Sequence, residues 1–307
     1  MLRVFIDGSA GTTGLRIADR LAARSDIRLI TLPEETRKDP SARRDALNAA
    51  DVCFLCLPDD AAREAVSMVE NPGTVVIDTS TAHRVQEGWC YGLPELPGMR
   101  EKLASAKRIA NPGCHATGFI VLAAPLVAAG LVAPDARLSC FSLTGYSGGG
   151  KKMIAQYESE DRDPLLDAPR LYGLTQKHKH LPEMARWTGL RYPPVFSPIV
   201  APYYAGMEVV LSLTPDCCRG SLKEIADVYA AAYPGGIIHF DPAPDEGGFL
   251  SAGAFAGRDD LSVSVFGGED RILAAARFDN LGKGASGAAI QNMNIAFGLD
   301  EKTGLVI

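Results

Sequence analysis

The sequence predicts an α/β protein with a doubly wound parallel sheet, followed by an α+β domain with a mixed or antiparallel sheet. Three observations support this fold class. Short apolar runs alternate with segments of helical periodicity over the first third of the chain, a glycine-rich turn follows the first run, and later strands are separated by loops rich in Pro, Gly and Tyr. A chain of 307 residues also exceeds the usual size of one domain.

In the first third, each element is assigned by its apolar period. Continuous apolar runs indicate buried strands, and apolar residues three or four positions apart indicate helices. On the first helix we expect Leu15, Ala18, Leu21 and Ala22 to share one face. The predicted elements are strand Arg3–Asp7, helix Thr12–Arg24, strand Ile27–Thr31, helix Ser41–Ala50, strand Asp51–Leu57, helix Asp60–Glu70, strand Thr74–Asp78 and strand Arg108–Asn111.

The rest of the chain predicts a second sheet and few helices. The expected elements are helix Cys114–Gly130, strands Leu138–Leu143, Glu208–Leu213, Ser262–Gly267 and Arg271–Phe278, and helices Ser221–Tyr233 and Ala285–Phe297. We therefore expect a first domain over residues 1–113 and a second over 114–283. Residues 284–307 would form a C-terminal helix that returns to the first domain.

The composition argues against several classes of protein. The net charge is −6 and no basic block occurs, so neither nucleic acid nor an anionic membrane is an expected partner. The apolar N-terminal stretch is too short for a signal peptide, and Pro125 and Gly130 interrupt the longest apolar run, which predicts a cytoplasmic protein. Seven scattered cysteines predict a reduced protein without a metal site, and the C-x-x-C of Cys53 and Cys56 lies in a run typical of a buried strand.

The segment Gly8–Gly14 predicts a dinucleotide site of the Rossmann type. It follows the first strand and opens the first helix, where glycines allow close approach to a pyrophosphate and free helix N–H groups favour an anion. Gly8, Gly11 and Gly14 give the spacing G-x-x-G-x-x-G, and Ala10 stands where the usual fingerprint has its middle glycine. The motif is therefore informative mainly through its position.

The choice between NAD and NADP is made after the second strand, in the segment Thr31–Lys38. Arg37 and Lys38 can hold a 2′-phosphate, whereas Glu34 and Glu35 suit the ribose hydroxyls of NAD. The segment leaves both cofactors open, with NADP ahead.

The segment Asn111–Gly118 carries the strongest chemical signal. A strand ends, Pro-Gly turns the backbone, and Cys114 falls at the start of a long apolar helix. The helix dipole and unpaired N–H groups at such a position stabilise a thiolate and make it nucleophilic. We therefore predict that Cys114 is a catalytic nucleophile, and that Cys53, Cys56 and Cys140 are structural.

A reactive thiol also needs an acid–base partner. His178 and His180 lie in a polar stretch of the second domain and are the natural candidates, with an exposed histidine pair or a zinc site as the alternatives. His83, His115 and His239 are expected to be structural. The glycine-rich run Gly145–Lys152, which ends in two lysines, is either an anion-binding loop or a flexible surface loop.

Together these motifs resemble the N-acetyl-gamma-glutamyl-phosphate reductase family in its shorter, type 2 form. The likeness covers nearly the whole chain, and several ordered motifs are more specific than any one of them. The motifs are Gly8–Gly14, Asp78–Arg84, Tyr91–Leu96, Asn111–Cys114, Ser147–Lys151, His178–Glu183, Asp279–Gly287 and Gln291–Asn294.

The resemblance implies reduction of N-acetyl-glutamyl phosphate by NADPH to the semialdehyde, with release of phosphate, through a thioester on Cys114. It implies that His178 or His180 is the acid–base residue and that Asn280 lies near the nicotinamide. Further implied residues are Ser9, Thr12, Thr13 and Gly14 for cofactor phosphates, and Arg84, Ser147 and Lys151 for the substrate phosphate or carboxylate.

Two positions depart from the family pattern. His83 stands where the longer form usually has Phe, and His115 stands where Tyr often follows the cysteine, so the His115 imidazole could perturb the thiolate. Because a thioester must be kept from water, we expect the site to lie between the two domains.

Three other functions remain open from the sequence. They are a related reductase acting on aspartyl or aminoadipyl phosphate, a non-catalytic NADP sensor, and a thiol hydrolase or acyltransferase, which leaves the dinucleotide loop unexplained. A homo-oligomer, either dimer or tetramer, is expected from the apolar second sheet.

Overall fold

The computed structural model describes all residues from Met1 to Ile307, which form two compact units. Unit 1 comprises Met1–Pro112 and Ala285–Leu305, and unit 2 comprises Gly113–Gly284 with Val306–Ile307. No helix combines the length and the apolar character needed to cross a membrane.

Unit 1 is built on a six-stranded sheet. Its strands are β1 (Leu2–Asp7), β2 (Ile27–Ile30), β3 (Val52–Leu55), β4 (Val75–Asp78), β5 (Cys90–Tyr91) and β6 (Arg108–Ala110), and its first helices are α1 (Thr12–Ala22), α2 (Pro40–Ala49), α3 (Asp59–Ser67) and α4 (Met99–Ser105). The strand order is β2-β1-β3-β4-β6-β5 and every pair is parallel. All four residues of β3 are buried, as expected for a strand covered on both faces. The predicted doubly wound parallel sheet is confirmed.

The buried face of α1 differs from the predicted one. Gly14, Ile17 and Leu21 are buried, whereas Leu15 is 42% exposed. The expected grouping of Leu15 with Leu21 was wrong. The face that packs against the core carries Gly14, Ile17 and Leu21, because Ile17 fills the core and Gly14 packs closely on the preceding turn. An added Cβ on Gly14 would lie 2.5 Å from the Gly8 carbonyl oxygen.

Unit 2 contains a second sheet, as predicted, and of the two predicted alternatives, mixed or antiparallel, it is mixed, with seven strands. The strands are β7 (Ser139–Gly145), β8 (Arg170–Leu171), β9 (Val195–Ala201), β10 (Met207–Leu213), β11 (Ile238–Phe240), β12 (Leu261–Gly267) and β13 (Ile272–Phe278), and the helices are α5 (Cys114–Ala128), α6 (Gly150–Glu158), α7 (Leu181–Thr188) and α8 (Leu222–Ala232). Their order is β11-β12-β13-β10-β7-β9-β8. The β7–β9 and β11–β12 pairs are parallel, and the others are antiparallel.

The two faces of this sheet have different surroundings. One face packs on α5, where a Cβ on Gly118 would lie 2.4 Å from Val209, so only glycine fits. The opposite face, which we call the open face, keeps apolar side chains partly exposed. These are Phe141, Leu143, Leu171, Val195, Ile199, Val210 and Leu273. A sheet with one solvated apolar face is a candidate interaction surface.

Helix α5 is apolar on almost every side and is held by packing. Pro125 has no N–H, so it leaves the Val121 carbonyl without its helical partner. The Tyr233 hydroxyl, near the end of α8, donates to that carbonyl at 2.8 Å, and the Tyr229 hydroxyl donates to Leu122 O at 2.6 Å. Two buried phenols therefore stabilise a helix that contains an internal proline.

The C-terminal helix α9 (Gly287–Ala296) belongs to unit 1 and is buried with its polar residues. The Asn292 side-chain amide donates to Gly92 O at 2.9 Å and to Asn111 Oδ1 at 3.1 Å. Buried amides are stable only when paired in this way, so α9 fixes the loops that follow β5 and β6.

Candidate active site

The glycine-rich turn after β1 is folded tightly onto its neighbours. Gly8 has φ 87°, and a Cβ there would lie 2.3 Å from the Cys56 carbonyl oxygen. The Gly11 N–H donates to Gly8 O at 3.0 Å and closes the turn. Only glycine fits at position 8, for reasons of both conformation and space.

The N-terminus of α1 fits a phosphate group. Its N-cap is Gly11, no side chain caps the helix, and no acidic residue lies in the first turn. The hydroxyl of Thr12 is buried and has no hydrogen-bond partner in the protein. Uncapped helix N–H groups and a hydroxyl without a protein partner are donors at the same end of one helix, which suits an anion such as a pyrophosphate.

A cavity of about 420 Å³ adjoins this turn in unit 1. It is lined by the ends of β1 and β2 and by charged side chains, among them Arg37, Lys38 and Arg43. The strand β2 ends at Ile30 and is followed by Thr31, so no carboxylate stands at the usual NAD position. Arg37 forms an exposed ion pair of 2.6 Å with Glu34.

Arg43 is a lining residue that the sequence did not reveal. Its buried guanidinium lies 3.0 Å from Asp7 and 3.2 Å from Glu64. Burial raises the pKa of Asp7, although the hydrogen bond from Arg43 opposes this effect. Arg43 was not predicted from the sequence, because it lies within helix α2 and is distant along the chain from the glycine-rich turn.

In unit 2, Cys114 is the first residue of α5. The N-cap residue is Gly113, no side chain caps the helix, and the first turn contains no acidic residue. Cys114 is half-buried, and a Cβ on Gly284 would lie 2.9 Å from its own Cβ. By contrast, burial raises the pKa of Cys53 and Cys56 to about 12 and raises that of Cys140 as well. Those three thiols are unreactive near neutral pH.

A carboxylate lies beside the start of this helix. The Gly113 N–H donates to Glu183 Oε2 at 3.2 Å, and Glu183 is only 1% exposed. Glu183 comes from the first turn of α7, within the His178–Glu183 motif. The sequence motif contained this residue, but nothing local indicated that it would reach Gly113.

Three imidazoles form a cluster in unit 2. They belong to His115, which follows Cys114 in the chain, and to His178 and His180. The ring centroids of His178 and His180 are 4.8 Å apart, and His115 lies 5.5 Å from the first and 5.6 Å from the second. The His180 N–H donates to His178 Nδ1 at 3.2 Å, so neutral His178 carries its proton on Nε2. No group of three or more His, Cys, Asp or Glu side chains has the arrangement of a metal site.

His115 itself is buried and hydrogen-bonded on both nitrogens. Its Nδ1 lies 2.7 Å from Ser142 Oγ and its Nε2 lies 2.7 Å from the Tyr172 hydroxyl. Burial, with smaller effects from the charges of His178 and Lys179, lowers the pKa of His115 to about 3. Ser142 and Tyr172 were not recognised from the sequence, because they come from β7 and from the loop after β8.

Asn280 and Ser147 meet in unit 2. The Asn280 Nδ2 donates to Ser147 Oγ at 3.0 Å, and its Oδ1 accepts from the Gly206 N–H at 3.0 Å. Both side chains are buried, whereas Lys151 is exposed on α6.

The run Gly145–Lys152 is a short 3-10 helix leading into α6 rather than an open loop. The N–H groups of Gly145, Tyr146 and Ser147 donate to the carbonyls of Gly206, Tyr203 and Tyr204. These three groups therefore bind the protein's own backbone and do not form the anion cradle that the sequence suggested.

Arg84 and His83 lie in unit 1, in the loop after β4. The Arg84 Nε donates to Asn111 O at 2.9 Å, and its Nη2 donates to Thr79 O at 2.9 Å. His83 Nδ1 lies 2.6 Å from Asp78 Oδ2, and its ring stacks on Trp89 at 4.0 Å. His83 thus packs and orders this loop, and Arg84 binds backbone carbonyls on two sides of it.

Comparison with known protein families agrees with this arrangement of a nucleotide unit and a thiol unit. Residues 33–106 match the family described as semialdehyde dehydrogenase, NAD binding domain. Residues 114–280 match the family described as semialdehyde dehydrogenase, dimerisation domain.

Full-length relatives decide the family. The chain is 44% identical to N-acetyl-gamma-glutamyl-phosphate reductase 2 of Nostoc sp., over 99% of both chains. It is 45% identical to N-acetyl-gamma-glutamyl-phosphate reductase of Brucella ovis, over 96% of this chain and 99% of that relative. The chain belongs to the N-acetyl-gamma-glutamyl-phosphate reductase family. The family named from the sequence motifs is confirmed.

Solved structures agree on the fold. Aspartate semialdehyde dehydrogenase II of Vibrio cholerae matches with a TM-score of 0.71 and 16% identity, covering 97% of this chain and 98% of that one. Aspartate semialdehyde dehydrogenase of Candida albicans, solved with NADP, matches with a TM-score of 0.65 and 17% identity over 96% and 98%. At such low identity the likeness concerns the fold alone.

Proposed function

We propose that the chain reduces N-acetyl-gamma-glutamyl phosphate to the corresponding semialdehyde and phosphate with NADPH, as a step of arginine biosynthesis in the cytoplasm. The observation that carries the proposal is Cys114 at the uncapped N-terminus of α5, next to the imidazole cluster of His115, His178 and His180. The names of the full-length relatives supply the substrate.

The reaction follows from the groups around the thiol. The Cys114 thiolate, stabilised by the helix dipole, attacks the acyl carbon, the carbon–oxygen bond to phosphate breaks, and a thioester forms on sulfur. A nicotinamide cofactor held by the glycine-rich turn and by Arg37 and Lys38 would supply the hydride that reduces this thioester. The resulting oxyanion takes a proton from an imidazole and returns it as the carbon–sulfur bond breaks, which releases the aldehyde and the thiolate.

His178 is the better candidate for this proton transfer. Its Nδ1 accepts from the His180 N–H, so Nε2–H is the donor that remains for the oxyanion. His180 is buried at the N-cap of α7, where it positions His178. Arg84, Ser147, Lys151 and Asn280 remain candidates for contacts with substrate and nicotinamide.

The first prediction concerns Cys114 and is tested in the reverse direction. The protein is mixed with N-acetyl-glutamate semialdehyde, phosphate and NADP, and absorbance of the reduced nicotinamide is followed. Cys114→Ser is expected to lower the phosphate-dependent rate by at least about 10³-fold, because nucleophile and base act as a unit. The matched control is Cys217→Ser, which replaces another half-buried cysteine and should keep the wild-type rate.

This assay tests the proposed substrate and the proposed covalent mechanism separately. Turnover of aspartate semialdehyde in place of the acetylated aldehyde would keep the thioester chemistry and change the pathway. Full activity of Cys114→Ser would contradict the covalent scheme. NADP binding without turnover of either aldehyde would favour a sensor.

A second prediction separates the two histidines. His178→Gln removes the imidazole that exchanges the proton, so kcat is expected to fall on the order of 10²- to 10⁴-fold with a smaller change in KM. His180→Gln keeps a hydrogen-bonding side chain and the backbone N–H that binds His178, so its loss of kcat should be smaller. The reverse ranking in steady-state kinetics would make His180 the acid–base residue.

A third prediction concerns NADP. Arg37 and Lys38 line the unit 1 cavity, and no carboxylate stands at the end of β2, although Arg37 pairs with the exposed Glu34. Lys38→Ala and Arg37→Ala are each expected to weaken NADP binding by about 10- to 100-fold and to leave NAD binding unchanged, because a charged hydrogen bond to the 2′-phosphate is lost. Calorimetric titration measures both, and Arg44→Ala on the exposed side of α2 is the control. Equal affinity of the wild type for NAD and NADP would contradict the assignment.

We further propose a homo-oligomer, dimer or tetramer, that buries the open face of the unit 2 sheet. The match of residues 114–280 to a dimerisation domain and the partly exposed apolar side chains of that face support it.

The fourth prediction tests this face. Leu273→Glu places a charge on this face and should shift sedimentation toward the monomer, because a buried unpaired charge is costly. Leu174→Glu, at an exposed leucine outside the sheet, should leave the wild-type oligomer intact. A wild-type monomer, or an unchanged oligomer of Leu273→Glu, would exclude this face.

A further inference from the structure

A compact turn in unit 2, between β11 and β12, carries the most exposed aromatic side chain of the protein. Phe249 is 78% exposed, and among the large apolar side chains only that of Met1 is more exposed. The turn comprises residues 245–251, which we call the tab. A single exposed apolar side chain is common on protein surfaces, so its surroundings decide whether it has a role.

Hydrogen bonds within the tab fix its shape. The Gly248 N–H donates to Asp245 Oδ1 at 2.8 Å, and the Glu246 N–H donates to Phe249 O at 3.3 Å. Gly248 has φ 85°, a conformation that favours glycine. The Ser251 N–H donates to Glu246 Oε2 at 2.6 Å and closes the turn. An ordered turn therefore presents Phe249, which reduces the conformational entropy lost when the ring is bound.

A buried ion pair anchors the tab on the open face of the unit 2 sheet. Glu246 Oε1 accepts a hydrogen bond from Arg277 Nη1, and Arg277 is only 5% exposed. The neighbours of Arg277 in β13, Ala276 and Phe278, are fully buried, and Phe278 lies close to Gly118 of α5. Because side chains alternate along a strand, Arg277 points to the opposite face. The tab is therefore attached to the open face.

The anchor lies close to the exposed apolar part of that face. In the sheet register Arg277 lies opposite Glu208 of β10, and Glu208 lies opposite Leu143 of β7. Two strand spacings, about 10 Å, therefore separate the anchor from Leu143. From β7 the face continues over β9 and β8 with partly exposed apolar side chains, and we call this part the apolar strip. It consists of Phe141, Leu143, Leu171, Val195 and Ile199.

One chain thus carries both halves of one apolar contact. In an isologous dimer a twofold axis brings the same surface of two copies together, so an element of each copy meets a different element of the other. An exposed aromatic ring and an exposed apolar strip on one face can meet in this way twice in one interface. The dimerisation-domain family that matches residues 114–280 spans both the tab and the strip, which favours a second copy of this chain as the partner.

We propose that the tab interlocks two copies of the chain, with Phe249 of each copy packed on the apolar strip of the other. The Glu246–Arg277 pair positions the tab for this contact. The inference rests on the homo-oligomer proposed above and names an element that stabilises it. The contact involves neither cofactor nor substrate, so it is measured on the full chain independently of the chemistry at Cys114.

The fifth prediction concerns the exchange of subunits between oligomers. Isotopically heavy and light protein are mixed, and native mass spectrometry follows the appearance of mixed oligomers. Phe249→Ala is expected to raise the exchange rate at least about 30-fold, because truncating a central interface aromatic mainly speeds dissociation. Leu174→Ala truncates a side chain that is 75% exposed and lies outside the sheet, so it should exchange at the wild-type rate.

A further variant tests the anchor. Glu246→Gln removes the charge that binds Arg277 and should also speed subunit exchange, by less than Phe249→Ala. Combined with Phe249→Ala it should add nothing, because Glu246 acts through the position of Phe249. Additive effects of the two substitutions would contradict the positioning role of Glu246.

Photochemical crosslinking shows where the ring lies. p-Benzoylphenylalanine replaces Phe249 in light protein, which is mixed with an excess of heavy wild-type protein, allowed to exchange and irradiated. The expected product joins position 249 to a heavy peptide from β7, β8 or β9, since the heavy isotope marks the other copy. The same reagent in place of Leu174 should join no heavy peptide.

The outcomes separate the tab contact from the oligomer itself. Wild-type exchange in Phe249→Ala would overturn the proposal, and so would crosslinks confined to light peptides or to heavy peptides outside the apolar strip. If Leu273→Glu nevertheless dissociates the protein, the open face forms the oligomer and only the tab contact is wrong. A wild-type monomer would overturn the oligomer and the contact together.

Discussion

The position of the first turn of α5 is the constraint on which the chemistry depends. The reactivity proposed for Cys114 requires that the helix N-terminus stays fixed beside it, since the helix dipole acts within that first turn. Packing supplies the rigidity, since α5 is buried along most of its length and Gly118 lets it approach Val209 and Phe278. The internal Pro125 would weaken such a helix, and the Tyr233 hydroxyl binds the carbonyl that the proline leaves unpaired.

The first turn of α5 has one buried carboxylate and one neutral imidazole beside it. Glu183 accepts a hydrogen bond from the Gly113 N–H, and burial keeps His115 neutral although it lies next to the thiol in the sequence. Hydrogen bonds in a buried environment are electrostatically stronger than in water, so the orientation of a few neutral donors matters more than the count of charges. Cys114 therefore lies beside an ordered network of hydrogen bonds.

The sequence predicted what depends on local signals. Local signals lie in neighbouring residues of the chain. They include the alternation of strands and helices, the glycine-rich turn and a cysteine at the start of a helix, and the parallel and mixed sheets could be predicted from them. Strand β9 and helices α6 and α7 were missed because Pro, Gly and Tyr interrupt their periodicity. A different reason explains why the sequence did not predict Tyr172, Ser142 and Arg43 as site residues. Their contacts join elements distant in the chain, and a single sequence does not display such neighbours.

A neutral His115 also has a thermodynamic advantage over a charged one. A cation next to Cys114 would stabilise the resting thiolate as well as later states, and such uniform stabilisation does not lower the barrier of the chemical step. A neutral His115, hydrogen-bonded to Ser142 and Tyr172, adds no such charge beside Cys114. Burial of an imidazole usually costs stability. Here burial keeps His115 neutral, and its two hydrogen bonds fix its orientation.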